Sequence, residues 1–252
     1  MSADDVWMQF RIVTLNTWKC DGDYAARLAT MARGIAALAP DVVALQEAFA
    51  APEAGHDTAA CLARALSMAV TSLPLRRKYR ALGGRSLSST SGLAILSPSP
   101  ARAQRSVFVT DDPRDGERAA LIAECAIANR VVTLACLHLT HLDGEDELRR
   151  RQWREIEVAL AQAKPAIVAG DFNAPIETFG LGTSRFADSR QACGEPARPT
   201  TDEPAVGCID HVLFSRDGGL RPLRWTTALT EPGTTGVAAS DHRAVVVDFT
   251  VG

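Results

Sequence analysis

The sequence is poor in the cysteine patterns that hold small exported or zinc-binding proteins together. It has six cysteines, and no two of them are spaced as CxxC, which argues against a zinc knuckle and a dense disulfide framework. We expect most of these cysteines to be buried thiols. Cys125 and Cys136 flank a predicted hairpin turn and could face each other, but pairing needs a short Cα separation that sequence does not give.

Long apolar segments and a basic apolar leader are also missing. No run of about 18 apolar residues is present, and the stretch from Met1 to Phe10 carries Asp4 and Asp5. We expect no stable membrane insertion and a cytoplasmic location. With 252 residues, 46% of them hydrophobic, the chain can bury a sizeable core, so a single domain over residues 1–252 is predicted. No obligate protein partner is evident.

The chain has no excess of positive charge. Its net charge is -3 and its pI is near 6.0, which removes the whole-molecule attraction that a protein gripping duplex nucleic acid by its backbone would have. Local basic stretches remain, and each could meet a polyanionic substrate or could be a solvated face. They are Arg76, Arg77, Lys78, Arg80 and Arg85, and Arg149 to Arg151.

Two strand-helix-strand units are predicted from hydrophobic periodicity. In the first, a strand from Arg11 to Leu15 is followed by a helix from Tyr24 to Leu38 and a buried strand from Val42 to Leu45. In the second, the elements are a strand from Val131 to Leu137, a helix of roughly Glu145 to Ala163 and a strand from Ala166 to Ala169. Their similarity indicates a pseudo-symmetric α/β core.

The remaining segments give weaker predictions. We expect a helix around Thr58 to Ala69, and we expect a strand at Leu93 to Leu96 and a hairpin from Ala119 to Leu137, turning near Asn129, to complete the first sheet. The region from Phe179 to Gly207, rich in turn-forming residues, is predicted to be a long surface loop. Strands are predicted from Cys208 to Phe214 and from Ala244 to Phe249.

Polar residues stand where the predicted apolar strands end, and such strand ends are where α/β folds gather their ligand sites. Taken singly, each has a plain structural explanation as a turn, cap or buried side chain. Gly170-Asp171-Phe172-Asn173 is more specific, because a strand delivers a carboxylate and a carboxamide two positions apart. Asp210 lies within an apolar strand, which predicts a buried and partnered carboxylate. The ordered set is Asn16, Glu47, His138, Asp171, Asn173, Asp210, Asp241 and His242.

These residues and their neighbours resemble the endonuclease/exonuclease/phosphatase superfamily. The resemblance covers about Arg11 to Phe249. The superfamily includes pancreatic deoxyribonuclease, apurinic endonucleases, neutral sphingomyelinases, inositol polyphosphate phosphatases and tyrosyl-DNA phosphodiesterases, and its fold, implied here, is a deoxyribonuclease I-like four-layer α/β sandwich of two packed mixed β-sheets flanked by helices. The matching motifs are Leu15-Asn16-Thr17, Leu45-Gln46-Glu47, His138-Leu139, Gly170-Asp171-Phe172-Asn173, Ile209-Asp210-His211 and Ser240-Asp241-His242.

The resemblance implies a role for each matched residue. Glu47 would ligate a divalent metal with Asn16 and Asp241 close to it, and oxygen ligands favour Mg²⁺ or Mn²⁺ over zinc. Asp171 would orient or deprotonate the attacking water. Three further roles concern the phosphate: Asn173 would position it or the water, His138 would bind it or protonate the leaving group, and His242, oriented by Asp210, would contact it as charge builds.

Two neighbours of these residues are predicted to lie outside the chemistry. Ser240 should shape its turn, because no separate base is present to activate it. His211 alternates with Asp210 along a strand, so its ring should point to the opposite face.

Three functions remain open at this point. The first is a phosphodiesterase or phosphatase acting on a small or lipid-derived phosphoester, which the acidic balance and His138-Leu139 favour. The second is a nuclease or tyrosyl-DNA phosphodiesterase-like enzyme that uses the basic segments to bind DNA or RNA. The third is a non-catalytic binding module, which is disfavoured because every major site position is filled.

Overall fold

Two mixed β-sheets form the centre of the molecule. The computed structural model describes residues 7–234 and 236–252, so the predicted domain of residues 1–252 extends partly outside the described residues. The strands of the eight-stranded sheet are β1 (Met8–Asn16), β2 (Val42–Ala51), β3 (His56–Asp57), β4 (Ala69–Leu73), β5 (Lys78–Leu82), β6 (Arg85–Ser97), β13 (Leu220–Ala228) and β14 (Ala244–Val251). They run in the order β13-β14-β1-β2-β6-β4, with β3 paired to β2 and β5 paired to β6.

The second sheet has six strands, which are β7 (Ala103–Phe108), β8 (Ala119–Ile127), β9 (Arg130–His138), β10 (Ala166–Asp171), β11 (Phe186–Asp188) and β12 (Asp210–Ser215). Their order in the sheet is β11-β12-β10-β9-β8-β7. In the described part of the chain, four α-helices accompany the two sheets, and short 3₁₀ turns lie in the loops. The helices are α1 (Tyr24–Leu38), α2 (Thr58–Leu66), α3 (Asp146–Ala159) and α4 (Ser189–Ala192).

Both predicted strand-helix-strand units are confirmed. β1 and β2 are parallel, with Leu15 opposite Leu45, and β9 and β10 are parallel, with His138 opposite Asp171. Parallel neighbours need a crossover connection, which α1 and α3 supply. Each unit also gains an antiparallel strand beside it, β14 next to β1 and β12 next to β10, as a pseudo-symmetric core requires.

Hydrophobic contacts arrange the sheets and helices in four layers. The central cluster joins the facing sides of the two sheets, where Ile12 and Val247 of one sheet pack in the same cluster as Leu121 and Ile167 of the other. Outer clusters bury α1 and α2 against the eight-stranded sheet and α3, through Trp153, against the six-stranded sheet. This is the four-layer sandwich expected from the resemblance.

Several sequence predictions were wrong in detail. The hairpin of β8 and β9 belongs to the second sheet, because β9 pairs with β10. The segment from Phe179 to Gly207 is not a surface loop throughout, since it contains β11 and α4 and buries Phe186 and Ser189. The helices predicted from Thr58 to Ala69 and from Glu145 to Ala163 are both shorter than expected. The first of them, α2, ends where Ser67 adopts left-handed backbone angles.

Most of the cysteines are buried thiols, as predicted. Cys20, Cys125, Cys136 and Cys208 are buried, and all six cysteines are free. Cys125 lies opposite Val132 rather than Cys136, so the two do not face each other across the hairpin. Within the described part of the chain, no helix is long and apolar enough to cross a membrane.

Candidate active site

The predicted strand-end residues converge at one edge of the sandwich. Asn16 ends β1, His138 ends β9 and Asp171 ends β10. Because β9 and β12 both flank β10, Asp171 has His138 on one side and Asp210 on the other. The two sheets thus deliver an amide, an imidazole and two carboxylates to one place.

Asp171 is the centre of this group. Its side chain is buried and accepts a 3.0 Å hydrogen bond from Asn16 Nδ2 and a 2.8 Å bond from the backbone N–H of Asn173. Burial, and then the nearby charge of Asp210, raise the pKa of Asp171 to about 6. A carboxylate held in this way is a stronger base than a solvated one and remains ionised at neutral pH.

His242 is held as a cation by Asp210. Its Nδ1 lies 2.9 Å from Asp210 Oδ2, and its Nε2 lies 3.8 Å from Asp171 Oδ2. Burial alone would lower the pKa of His242, but the charge and hydrogen bond of Asp210 outweigh it and raise that pKa to about 10. His242 can therefore present a positive N–H to an anion at neutral pH.

His138, in contrast to His242, is neutral at neutral pH. Its Nε2 lies 3.5 Å from Asp171 Oδ2. Burial, the positive charge of Arg118 and that of His242 hold the pKa of His138 well below its ordinary value. One neutral and one cationic imidazole consequently lie beside the same carboxylate, and such an arrangement can assign proton transfer and charge stabilisation to different groups.

Glu47 reaches the cavity through an irregularity in β2. The register between β2 and β6 shifts between Leu45 and Ala48, and Glu47 adopts a left-handed φ of 53°. This bulge turns the side chain toward the site. Its Oε1 lies 2.9 Å from Lys19 Nζ.

A possible metal site is present. One ligand atom each of Asp171, Asp210 and His242 lie within 4.8 Å of one another, and Asp210 Oδ1 is buried without a hydrogen-bond partner. His242 is a poor ligand here, because a protonated imidazole has no free lone pair. Glu47 and Asp241 offer oxygen donors in the same cavity. Burial, first of all, raises the pKa of Asp241, and the charge of Glu47 acts in the same direction.

A cavity of about 320 Å³ opens over these residues. Seven of the eight residues predicted from sequence line it, and the eighth, Asp210, lies behind His242. The predicted basic stretch contributes part of the wall. The lining is Asn16, Trp18, Lys19, Glu47, Leu75, Arg76, Lys78, Arg80, Ser91, Gly92, Leu93, Asp115, Gly116, Glu117, Arg118, His138, His141, Asp171, Asn173, Asp241 and His242.

Sequence reasoning missed the loop residues at the mouth of the cavity. Arg118 pairs with Asp115, whose carboxylate also accepts a bond from Thr140 and lies 2.9 Å from His141 Nδ1. These residues lie in loops beside the strands, and no periodic pattern marks them. Lys19, which also lines the cavity, could have been predicted from its position three residues after Asn16.

The second basic stretch has a different role from the first. Arg149 is buried and donates to the backbone oxygens of Thr140 and Leu142. Arg150 and Arg151 pair with acidic residues of α3. The stretch from Arg149 to Arg151 does not line the cavity. Its contacts agree with the interpretation as a structural and solvated helix face and not with a role in binding substrate.

The two residues predicted to lie outside the chemistry, His211 and Ser240, do not line the cavity. His211 Nε2 lies 3.0 Å from the carbonyl oxygen of Ala174, and its ring packs edge-on against Phe172, on the side of the sheet away from the cavity. Ser240 Oγ donates to the backbone oxygen of Asn16 at 2.7 Å and accepts from His242 N at 3.2 Å. Ser240 therefore fixes the turn that carries Asp241 and His242.

Solved structures with the same fold span almost the whole chain. The catalytic domain of human Nocturnin with bound sulfate anion is 21% identical with a TM-score of 0.74, over 96% of this chain and 94% of that one. D. rerio TDP2 complexed with single strand DNA product is 21% identical with a TM-score of 0.72, over 96% and 98%. An endonuclease/exonuclease/phosphatase from Beutenbergia cavernae DSM 12333 is 20% identical with a TM-score of 0.73, over 97% and 72%.

No curated protein matches the chain in sequence. The family model described as Endonuclease/Exonuclease/phosphatase family matches residues 13–242, which is most of the chain. The matched region includes every residue of the candidate site, and the buried Asp171, Asp210 and His242 are consistent with a catalytic centre. The chain therefore belongs to the endonuclease/exonuclease/phosphatase family and is a phosphoesterase.

Proposed function

We propose that this protein is a divalent-metal-dependent hydrolase of a small or lipid-derived phosphoester. The observation that carries the proposal is the position of Asp171, a buried carboxylate with cationic His242 on one side and neutral His138 on the other. A base beside a fixed positive charge is what attack of water on a phosphate group needs.

The proposed metal is Mg²⁺ or Mn²⁺, held by Glu47 with Asn16 and Asp241 beside it. These three residues line one cavity and offer oxygen atoms, the donors that such hard cations prefer. When bound, the ion would neutralise phosphate charge and stabilise the leaving oxygen.

The residues of the chain supply the remaining steps. Asp171 orients the attacking water and takes its proton. Asn173 faces the water or a phosphate oxygen, and its Nδ2 donates a 3.0 Å hydrogen bond to the carbonyl oxygen of Leu139, which fixes the end of the strand. The N–H of His242, kept protonated by Asp210, contacts the phosphate as negative charge builds. His138 binds the phosphate or protonates the leaving group.

A nuclease or tyrosyl-DNA phosphodiesterase-like activity is the second candidate. Its support is the row Arg76, Lys78 and Arg80 in the cavity wall, together with the single-strand DNA product bound to the similar fold of D. rerio TDP2. A non-catalytic binding module is the weakest candidate, because no position of the site has lost its functional group.

The test is hydrolysis by the wild-type protein and by Asp171→Asn with Mg²⁺, Mn²⁺ or EDTA. The substrates are p-nitrophenyl phosphate, bis-p-nitrophenyl phosphate, a sphingomyelin-type lipid, and single- and double-stranded DNA. Asp143→Asn makes the same chemical change at an exposed position outside the cavity and should behave as wild type. Metal-dependent turnover lost in Asp171→Asn supports the proposal, and turnover that survives EDTA or this substitution contradicts it.

A further inference from the structure

Three cations from one chain segment form a wall of the cavity. Arg76, Lys78 and Arg80, called the cationic wall below, all line the cavity that contains Asp171. They alternate along the chain, with Arg76 two residues before β5 and the other two within that strand. Side chains two positions apart point to the same face of a strand. Tyr79, between two of them, is 78% exposed and does not line the cavity.

The three side chains of the wall have no ion-pair partner among residues 7–234 and 236–252, where no carboxylate lies within 4.0 Å of a charged nitrogen of any of them. Arg80 donates instead to two neutral hydroxyls, those of Ser89 at 3.0 Å and Ser91 at 2.9 Å. Burial, followed by the charges of Arg76 and Arg80, lowers the pKa of Lys78. Like charges are thus held together at a cost that a bound anion would relieve.

The other cations of the cavity already have partners. Lys19 pairs with Glu47, and Arg118 pairs with Asp115. Arg77 lies next to the wall in sequence, but it bonds to Ser88 and lines a different depression. Among the described residues, the Lys and Arg side chains of this cavity that have no ion-pair partner are therefore the three of the cationic wall.

The size and polarity of the cavity favour a compact, highly charged ligand. Its volume of about 320 Å³ lies at the lower end of the range for small-molecule sites. Its apolar lining is limited to Trp18, Leu75 and Leu93 among mostly charged or polar residues. The cationic wall would repel a cationic head group placed beside it, and an acyl chain would find little apolar surface in the cavity.

We propose that the cationic wall of Arg76, Lys78 and Arg80 binds a second phosphate group of the substrate, on the same molecule as the phosphate that is hydrolysed at Asp171. This inference rests on the proposed function and narrows its substrate class to phosphoesters with two phosphate groups. Such a group belongs either to a small bisphosphate or to the next nucleotide of a single strand.

The test compares two chromogenic esters that differ by one phosphate. They are the p-nitrophenyl ester of thymidine 5′-phosphate and the same ester carrying a 3′-phosphate. Each ester is incubated with Mg²⁺ and the wild type, the double variant Arg76→Gln/Lys78→Gln or the control variant Arg77→Gln. The control removes one positive charge from the same segment, but outside the cavity. Thermal unfolding shows whether each variant is folded.

The wild type and Arg77→Gln should prefer the 3′-phosphorylated ester by about tenfold or more in kcat/KM. The double variant should lose most of that preference, chiefly through KM. A wild type without preference, or a double variant that keeps it, overturns the proposal. A single-stranded trinucleotide in the same assay identifies the source, because a strand-binding wall makes it a better substrate than the bisphosphate ester.

A binding measurement separates this inference from the proposed function. Calorimetry of thymidine 3′,5′-bisphosphate against thymidine 5′-phosphate needs no turnover. If neither ester is hydrolysed, the proposed function fails, and tighter binding of the bisphosphate that is lost in the double variant still supports the subsite. Equal affinities of the two nucleotides contradict it.

Discussion

Asn16 and Asp171 join the two sheets at the site through a 3.0 Å hydrogen bond from Nδ2 to Oδ2. One residue ends β1 of the eight-stranded sheet, and the other ends β10 of the six-stranded sheet. Both side chains are buried. The carboxylate of Asp171 is therefore positioned by the packing of the two sheets as well as by its own strand.

Asn16→Asp should inactivate the protein by placing a second carboxylate beside Asp171. The substitution keeps the shape of the side chain and replaces a donor with a like charge, which disfavours the ionised form of Asp171. We expect a loss of about 100-fold or more in kcat/KM, or roughly 2.7 kcal/mol of transition-state stabilisation. Asn16→Ala, which removes the donor without adding charge, should lose less. Equal rates for Asn16→Asp and wild type would contradict this role.

Asp210→Asn should remove the positive charge of His242. The carboxylate 2.9 Å from Nδ1 outweighs burial and raises the pKa of His242 to about 10, so its amide replacement should bring that pKa down toward or below its ordinary value of about 6.5. NMR titration of the imidazole signals measures this change. Activity at neutral pH should fall by about 100-fold or more. An unchanged titration of His242 would refute the assignment.

The strand ends of the site could be predicted because they depend on local sequence. An apolar run followed by a polar residue marks Asn16, Glu47, His138 and Asp171 without knowledge of the fold. Asp241 and His242 depended on the family motif. The bulge that turns Glu47 toward the cavity was not predicted, because it depends on pairing with β6.

Long-range pairing explains the failures. The hairpin of β8 and β9 was expected in the first sheet, but its partner β10 lies beyond α3 in sequence. Phe186 belongs to a short strand because β12 lies beside it, although its flanking residues have the composition of a loop. Arg118 enters the cavity from a loop, and its sequence neighbours do not mark it.

Gly170→Ala should destabilise the fold, because the backbone of β10 passes too close to β9 for a side chain. A Cβ at this position would lie 2.1 Å from the carbonyl oxygen of Leu137. We expect a loss of about 3 kcal/mol or more, measured by urea unfolding. Gly182→Ala is the matched control, since nothing lies within 4 Å of its added Cβ, and it should be close to neutral. Equal stability of the two variants would show that β10 can move away.

The stability of the protein should fall as the pH rises from neutral to alkaline, in part because of His211. Asp188 Oδ2 lies 3.6 Å from its Nδ1, and although burial opposes the charge, contacts with Asp188 and Cys208 raise the pKa of His211 to about 10. The unfolded chain has a histidine pKa of about 6.5, so the native state binds the extra proton between these values. This stabilisation is complete below about pH 6.5 and is lost through about pH 10.

Urea unfolding of wild type and His211→Gln at about pH 6, 7.5 and 9 measures this contribution. This series starts near the ordinary histidine pKa and rises toward the pKa of His211 in the native state. Glutamine keeps a donor for the carbonyl oxygen of Ala174 but cannot titrate. The free energy of unfolding should decrease more steeply with pH in the wild type than in the variant. Parallel curves would mean that His211 does not bind the proton.

Glu47→Gln should weaken the affinity for the metal before it affects the chemistry. The amide keeps the shape of the side chain and one oxygen donor, but it loses the negative charge that attracts a divalent cation. We expect the Mg²⁺ concentration for half-maximal activity to rise by about tenfold or more, with a smaller loss of kcat at saturating metal. Asp171→Asn should show the reverse, a large loss of kcat at every metal concentration. If Glu47→Gln instead lowers kcat without changing the Mg²⁺ dependence, Glu47 is not a metal ligand and the ion must be sought at Asp171 and Asp210.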